Sequence, residues 1–438
     1  MQYDKWVKTG DITTVHFIGV GGIGMSALAR LCAHEGKKVT GSDVKQSDIT
    51  HTLEKEGIHI SYTQEAKNIP EQADLVIYTE AVDKKTNEEF ITAKKRGVET
   101  INYFDALGLF LNDYYLIAIA GSHGKTTTTA MLTEIMEAAG MDPTAIVGSL
   151  RKKTNNNFRA GKSKYAIVEA CEFRRDFLSL KPDVLIITNI EYEHVDYYKN
   201  LEDVQKAFHE LAEQVSSDGV IIANTDDEKV ATALAGVEGV QKIDYTQYFD
   251  PLFEKLSMPG VHNRMNAAAA IAAATYLGVD VYLAREALQN FEGTWRRFEY
   301  KGELNGAKVY DDYAHHPTEI KMTIKTTKEL FPDKKLKVVF QPHTVSRLRT
   351  LFDDFAEELG KADEILLLPI YKAREADDKE VSSEKLQVKI SGKNPDVQHF
   401  ETHDAVVAYL NETITKDDVL LLMGAGDIFD IANTLTRK

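Results

Sequence analysis

Apolar residues along this chain come in short unbroken runs, each ended by glycine or polar residues and followed by a helical pattern. Thr13–Ile18 runs into Gly19–Gly24 and a helix over Met25–Glu35, and Lys38–Thr40 and Asp74–Tyr78 continue the series. Leu116–Ala120 opens a second block, with a helix to about Ala139, strands at Tyr165–Glu169, Val184–Ile190 and Gly219–Ala223, and an alanine-rich helix after Asn266. A third block follows Trp295, with strands at Ala307–Tyr310, Leu336–Phe340, Glu364–Leu368 and Asp418–Met423. Continuous apolar strands alternating with helices predict parallel sheets covered on both faces. The blocks divide the chain at 1–110, 111–294 and 295–438. Thr154–Asn157 reads as a loop, and Asp227–Pro259 has room for a Val240–Tyr245 strand and little more.

Composition narrows the function. The chain has 438 residues and a formal charge of −16, which excludes a general nucleic-acid binder. Phosphate ligands remain compatible, because backbone N–H groups and a few local cations hold them. No run approaches the ~20 apolar residues of a membrane span, so membrane insertion is not expected. Ala267–Leu277 is short and alanine-rich, the pattern of a buried helix, and Met1–Gly10 carries no apolar signal core. Two cysteines, Cys32 and Cys171, in so long a chain point to the cytoplasm.

Two glycine loops carry the first candidate chemistry. Gly19, Gly21 and Gly24 fit a dinucleotide fingerprint between strand and helix, and Asp43 follows about 20 residues on, where an acid often meets a ribose hydroxyl. Gly121-Ser122-His123-Gly124-Lys125-Thr126-Thr127 is a stronger signal. Its N–H groups suit phosphates, Lys125 the β/γ-phosphates of ATP, and the Thr126 hydroxyl Mg²⁺. One glycine of the full pattern is replaced by Ile119. Glu169 and His194 end or follow strands at the same edge and are candidate metal contacts. In the third block, polar strand ends gather at Asp311–Glu319, at Gln341-Pro342-His343 with Arg347, and at Met423–Asp427. Thr318 is a candidate helix cap. The fold class is α/β, with three domains on mainly parallel sheets: Rossmann-like, P-loop and Rossmann-like.

In this order, the motifs resemble the Mur ligase family over nearly the whole chain. They are His16–Ser26, Gly121–Thr128, Gly260-Val261-His262-Asn263 with Asn266, Arg296-Arg297-Phe298, Asp312–Glu319 and Gln341-Pro342-His343. The resemblance implies a UDP-sugar domain, an ATP domain and an amino-acid domain. It implies that Gly19, Gly21, Gly22, Gly24, Met25, Ser26 and Asp43 serve the UDP-sugar, and that Gly121–Thr127, Asn263 and Arg297 serve ATP. Mg²⁺ would be held by Thr126, Glu169 and His194. Lys125, Asp312, His315, His343 and Arg347 would be catalytic, with Tyr313 beside the substrate. His315 and His343 are alternative acceptors of the amine proton. The expected reaction joins L-alanine to the lactyl carboxylate of UDP-N-acetylmuramate through an acyl phosphate. The chain is expected to act as a monomer or weak homodimer. Two features depart from many relatives: Thr344 in place of arginine after Pro-His, and Cys171-Glu172-Phe173-Arg174-Arg175 in place of an Asp-rich run. A ligase adding a peptide or another amino acid is the nearest alternative. An NAD-dependent oxidoreductase would use the first glycine loop and leave Lys125 and the histidines without a role.

Overall fold

The computed structural model describes residues 9–250, 256–373, 375–376, 378 and 380–436. The N-terminal residues up to 8, and residues 251–255 of the short segment before Pro259, lie outside them.

Three sheets form. The first contains β1 (Thr14–Ile18), β2 (Lys38–Ser42), β3 (His59–Ser61), β4 (Leu75–Tyr78) and β5 (Glu99–Asn102), all parallel in the order β3-β2-β1-β4-β5. Chain direction across the sheet reverses between β1 and β4, the position where doubly wound sheets open a crevice beyond their carboxyl ends. β1 is buried throughout, its Thr14 and His16 included.

The second sheet contains β6 (Tyr115–Ala120), β7 (Thr144–Arg151), β8 (Asn156–Arg159), β9 (Tyr165–Glu169), β10 (Val184–Ile187), β11 (Val220–Ala223) and β12 (Gln241–Asp244). The order is β12-β11-β10-β6-β9-β7-β8, and only β8 runs antiparallel to its neighbour. The loop expected at Thr154–Asn157 is corrected here, because Asn156 and Asn157 belong to β8. Their polarity is used rather than solvated. Asn157 is 1% exposed, donates to the Ile23 carbonyl and to Ser26 Oγ, and accepts from Arg30 Nη1 at 2.7 Å. Among the described residues of 227–259, β12 is the one strand, and it extends the main sheet in parallel.

The third sheet contains β13 (Glu299–Leu304), β14 (Ala307–Asp312), β15 (Lys335–Phe340), β16 (Glu364–Leu367), β17 (Val397–His399) and β18 (Asp418–Met423), in the order β13-β14-β18-β15-β16-β17. Only the β13–β14 pair is antiparallel. Alternate residues of a strand face opposite sides, so Leu336, Val338 and Phe340 enter one core while Val339 enters the other with Val309 and Leu422. Among the described residues no helix is long and apolar enough to cross a membrane.

The chain divides into two compact units. One comprises Met1–Glu191, Val204–Phe249 and Asn266–Phe291, and holds the first two sheets. The other comprises Tyr192–Asp203, Asp250–Met265 and Glu292–Lys438, and holds the third.

A buried arginine ties the third sheet to the loop after β18. Arg296 is 2% exposed and its Nε donates to Asp311 Oδ2 at 3.0 Å, on the fully buried carboxylate of β14. Nη1 donates to the Gly426 carbonyl at 2.9 Å and Nη2 to the Gly424 carbonyl. Arg296→Met would strand a buried carboxylate and two carbonyls, a loss of about 3–5 kcal/mol. A marked fall in the melting temperature of the third-sheet unit is the expected result. A midpoint equal to wild type would show that the arginine is dispensable.

Candidate active site

The phosphate loop joins β6 to the helix Lys125–Ala138 and lies at the carboxyl edge of the second sheet. Gly121 and Gly124 take φ of 136° and 84°, where side chains are strained. A Cβ at Gly121 would strike Thr188 Oγ1, and one at Gly124 would strike Asn266 Oδ1. Gly124 is the N-cap and makes no side-chain cap, so the first turn keeps its N–H groups for an anion. The loop is braced from the segment after β10. The His123 N–H donates to Asn189 Oδ1 at 2.9 Å, the Glu191 N–H to Ser122 Oγ at 2.7 Å, and the Thr188 hydroxyl to the His123 carbonyl at 2.6 Å. Thr127 is buried in the helix behind.

Lys125 Nζ donates to the Gly121 and Ser122 carbonyls and to Glu172, with Oε2 at 2.9 Å. Burial alone would lower the lysine pKa, but Glu172 and its neighbours Cys171 and Glu169 raise it, so the ammonium stays charged. Glu172 is 1% exposed. Thr126 Oγ1 donates to Glu169 Oε2 at 3.0 Å, which brings two of the expected metal contacts together. Glu169 also accepts from the Gly148 N–H. His194 lies in the other unit, with φ of 52°.

The first glycine loop follows β1. Gly19 and Val20 donate to the Ser42 carbonyl at 2.8 and 2.9 Å. Asp43 accepts from the Gly21 N–H at 2.8 Å and from the Lys45 N–H at 3.2 Å, so the acid expected at a ribose also shapes the loop. Gly22 caps the helix Ile23–His34 without a side-chain bond, which leaves a second helix N-terminus open to anions. A Cβ at Gly24 would lie 2.6 Å from the Tyr103 ring. Met25 and Ser26 are buried, and the Ser26 hydroxyl donates to the Ile23 carbonyl at 2.9 Å.

In the second unit, β14, β18 and β15 are adjacent, and their polar ends meet as expected: the Gly424 N–H donates to the Asp312 carbonyl and the Gln341 N–H to the Met423 carbonyl. Asp312 accepts from the Phe298 N–H at 2.8 Å and the Ala314 N–H at 2.7 Å. Burial pushes its carboxyl up to about 6, against the pull of Arg297. Arg297 stands 5.1 Å from the centre of the Tyr313 ring. Asn263 is buried and donates to the Pro259 carbonyl at 2.7 Å. The cap of the helix Pro317–Leu330 is His316, not Thr318: Thr318 sits in the first turn and its own N–H donates to the His316 ring. Pro317, which has no N–H to satisfy, takes the first helical position, so the cap falls two residues upstream of Thr318.

Tyr313, His315, His343 and Arg347 are brought together. Ring centroids lie 5.3 Å apart for Tyr313–His315 and 5.8 Å for His315–His343. His343 stacks on Tyr371 at 5.6 Å. Arg347 donates from Nε at 3.0 Å and Nη2 at 2.8 Å to Glu193 Oε1, and from Nη1 to the His343 carbonyl and ring at 3.1 and 3.2 Å. Burial works against the Glu193 carboxylate, yet Arg347, backed by nearby histidines, holds it well below the usual range.

Hydrogen bonds fix the neutral histidine tautomers. His315 Nδ1 is 2.9 Å from the Tyr313 carbonyl, which only accepts, so Nδ1 carries the proton and Nε2 the lone pair. His343 Nδ1 faces an arginine donor, so its proton is on Nε2. Burial lowers His315 to about 4, against Glu319, and lowers His343 to about 3, with His315 and Arg347 adding to the effect.

Three pairings were not expected from sequence, Lys125 with Glu172, Arg347 with Glu193 and Arg296 with Asp311, each a buried anion on a cation that a motif marks. The one available signal is that each sits beside a strand end already singled out.

Known proteins match nearly the whole chain. Family models described as the Mur ligase family catalytic domain, the Mur ligase middle domain and the Mur ligase glutamate ligase domain cover residues 14–115, 119–251 and 296–426. A UDP-N-acetylmuramate–L-alanine ligase of Agathobacter rectalis is 40% identical, with 97% of this chain and 98% of that protein aligned. One of Caldanaerobacter subterraneus subsp. tengcongensis is also 40% identical, over 97% of each. The crystal structure of the UDP-N-acetylmuramate–alanine ligase of Thermotoga maritima superposes with a TM-score of 0.79 at 27% identity, covering 96% of this chain and 98% of that one. A murein peptide ligase of Psychrobacter arcticus gives 0.71 at 25% identity, covering 97% and 98%. Sequence and fold lead to one conclusion: the chain belongs to the Mur ligase family.

Proposed function

We propose that this chain joins L-alanine to the lactyl carboxylate of UDP-N-acetylmuramate, using ATP and Mg²⁺ and releasing ADP and phosphate, in cytoplasmic peptidoglycan precursor synthesis. The observation that carries the reading is the phosphate loop with Lys125 charged and Thr126 against Glu169, in a chain 40% identical to alanine ligases over nearly its full length.

A carboxylate acylates an amine only after activation. Phosphoryl transfer to the lactyl carboxylate gives an acyl phosphate, the alanine amine adds to its carbonyl carbon, and phosphate leaves as the amide forms. The first step brings two anions together. Like unit charges at about 4 Å repel by roughly 4 kcal/mol at an effective dielectric of 20, on the order of a thousandfold in rate. Lys125 and the N-terminus of its helix offset this. The open loop and the Thr126–Glu169 oxygen pair fit Mg²⁺, which when bound would neutralise triphosphate charge and orient the γ-phosphate. Asn263, Arg297 and Asp312 would contact the nucleotide, and the Gly19–Ser26 loop with Asp43 the UDP diphosphate.

Of the two histidines, His315 is the base. Its Nε2 lone pair and its pKa of about 4 leave it unprotonated at neutral pH, whereas the His343 Nε2 is a donor. Arg347 has four of its five N–H donors engaged, so it meets the alanine carboxylate with one donor and its charge rather than as a paired clamp. Tyr313 borders the space for the methyl group.

Phosphate release with ATP, UDP-N-acetylmuramate and a panel of amino acids tests the activity. L-Alanine should be used, glycine and serine within about 10–200-fold, and leucine excluded. Turnover only with a preformed peptide would assign the chain to the murein peptide ligases instead. Lys125→Ala should abolish turnover; it also leaves Glu172 buried without its cation, so the melting temperature should fall and turnover is compared well below that midpoint, where the circular dichroism spectrum matches wild type. Wild-type turnover at saturating ATP would remove the loop from the reaction. His315→Gln should lower kcat by about 100- to 10,000-fold with little change in the KM for ATP. A larger loss in His343→Gln would exchange the two roles.

The histidine shifts also set a stability trend. His343 falls from an ordinary 6.5 to about 3 on folding, so between those values the unfolded chain binds the extra proton. Its contribution is complete above pH 6.5 and is lost as pH falls toward 3. The melting temperature of His343→Gln should therefore decline less steeply than wild type on acidification below pH 6.5. Parallel curves would refute the shift.

A further inference from the structure

At the far edge of the third sheet, β17 ends in a histidine that the ligase reaction does not use. The His399 side chain is 8% exposed, and its Nε2 is buried without a hydrogen-bond partner. No protonation state satisfies that atom, since as a donor it lacks an acceptor and as an acceptor it lacks a donor. Two carboxylates flank the ring. Glu384 Oε1 lies 3.9 Å from Nε2 and Glu401 Oε1 lies 3.8 Å from Nδ1, both beyond hydrogen-bond reach. Glu384 sits in the first turn of the helix Ser383–Ser391, where the Ser382 hydroxyl lowers its pKa, so it is ionised at neutral pH. One donor atom from each of the three residues lies within 4.8 Å of the others.

We propose that Glu384, His399 and Glu401 form a binding site for a borderline divalent cation, Zn²⁺, distinct from the Mg²⁺ that serves ATP. Zinc bonds of about 2.0–2.2 Å at a tetrahedral angle separate two ligand atoms by about 3.4 Å. The 3.9 Å gap between His399 Nε2 and Glu384 closes with a shift of about 0.5 Å, within the freedom of a side chain 58% exposed. Glu401, 80% exposed, has still more freedom to turn inward. The cation would give Nε2 the partner it lacks and separate two carboxylates that otherwise repel. One imidazole nitrogen with two carboxylates favours zinc over magnesium, which prefers an octahedral oxygen shell and keeps its water. The bound ion would pin the loop after β17 to the helix Ser383–Ser391, at an edge where β17 pairs only with β16 among the described residues.

The test measures zinc bound per full-length chain after dialysis against Zn²⁺ in excess Mg²⁺, which occupies the oxygen site at the phosphate loop. Wild type should retain one more zinc ion than His399→Gln, and zinc should raise the melting temperature of wild type only. Glu401→Gln, at an exposed position that leaves the fold undisturbed, should bind this ion at least about tenfold more weakly. Ligase turnover in Mg²⁺ should be unchanged in Glu401→Gln. Equal zinc content and affinity in wild type and Glu401→Gln would overturn the site, whether or not His399→Gln folds.

Discussion

A charge can be buried only if an opposite charge and hydrogen bonds are buried with it. Three cations in this chain obey that rule. Lys125 rests on Glu172, Arg347 on Glu193 and Arg296 on Asp311. The pairs hold loops in shape before any ligand arrives. For Lys125 two backbone carbonyls complete the arrangement, so every partner of the ammonium is an oxygen.

Strand ends explain why two neighbouring histidines differ. The His315 and His343 rings are 5.8 Å apart and both are pushed toward neutrality by burial. Their backbones and neighbours select opposite tautomers: a carbonyl after β14 meets one Nδ1, and a guanidinium meets the other. One ring is thereby left with an outward lone pair and the other with an outward N–H.

Much of this was legible in the sequence. The strands β6, β10, β11 and β18 are covered on both faces, so they appear as nearly unbroken apolar runs. Apart from β12, the edge strands escaped because they are half polar: β3 is His59-Ile60-Ser61, β8 begins Asn156-Asn157 and β17 is Val397-Gln398-His399. β5 and β13 failed for the same reason, and β7 because Gly148 and Ser149 interrupt its apolar run. At the site, glycines and cations were readable since a phosphate-holding turn demands those residue types in sequence order. Their buried anions were not. Arg347 and Glu193 are 154 residues apart, and nothing in a linear pattern marks a glutamate as the partner of so distant an arginine.

The interleaving of the two compact units bears on how such proteins can be recombined. The second unit takes in Tyr192–Asp203 and Asp250–Met265 as well as everything from Glu292 onward. A chimera spliced at residue 292 would import Arg347 while keeping the recipient's residue at 193, and would likewise separate Asn263 from the block it folds with. Exchange of the third-sheet unit between relatives, in evolution or by design, therefore has to carry three pieces of gene together. Recombination at a single crossover leaves a buried arginine dependent on whatever the other parent supplies.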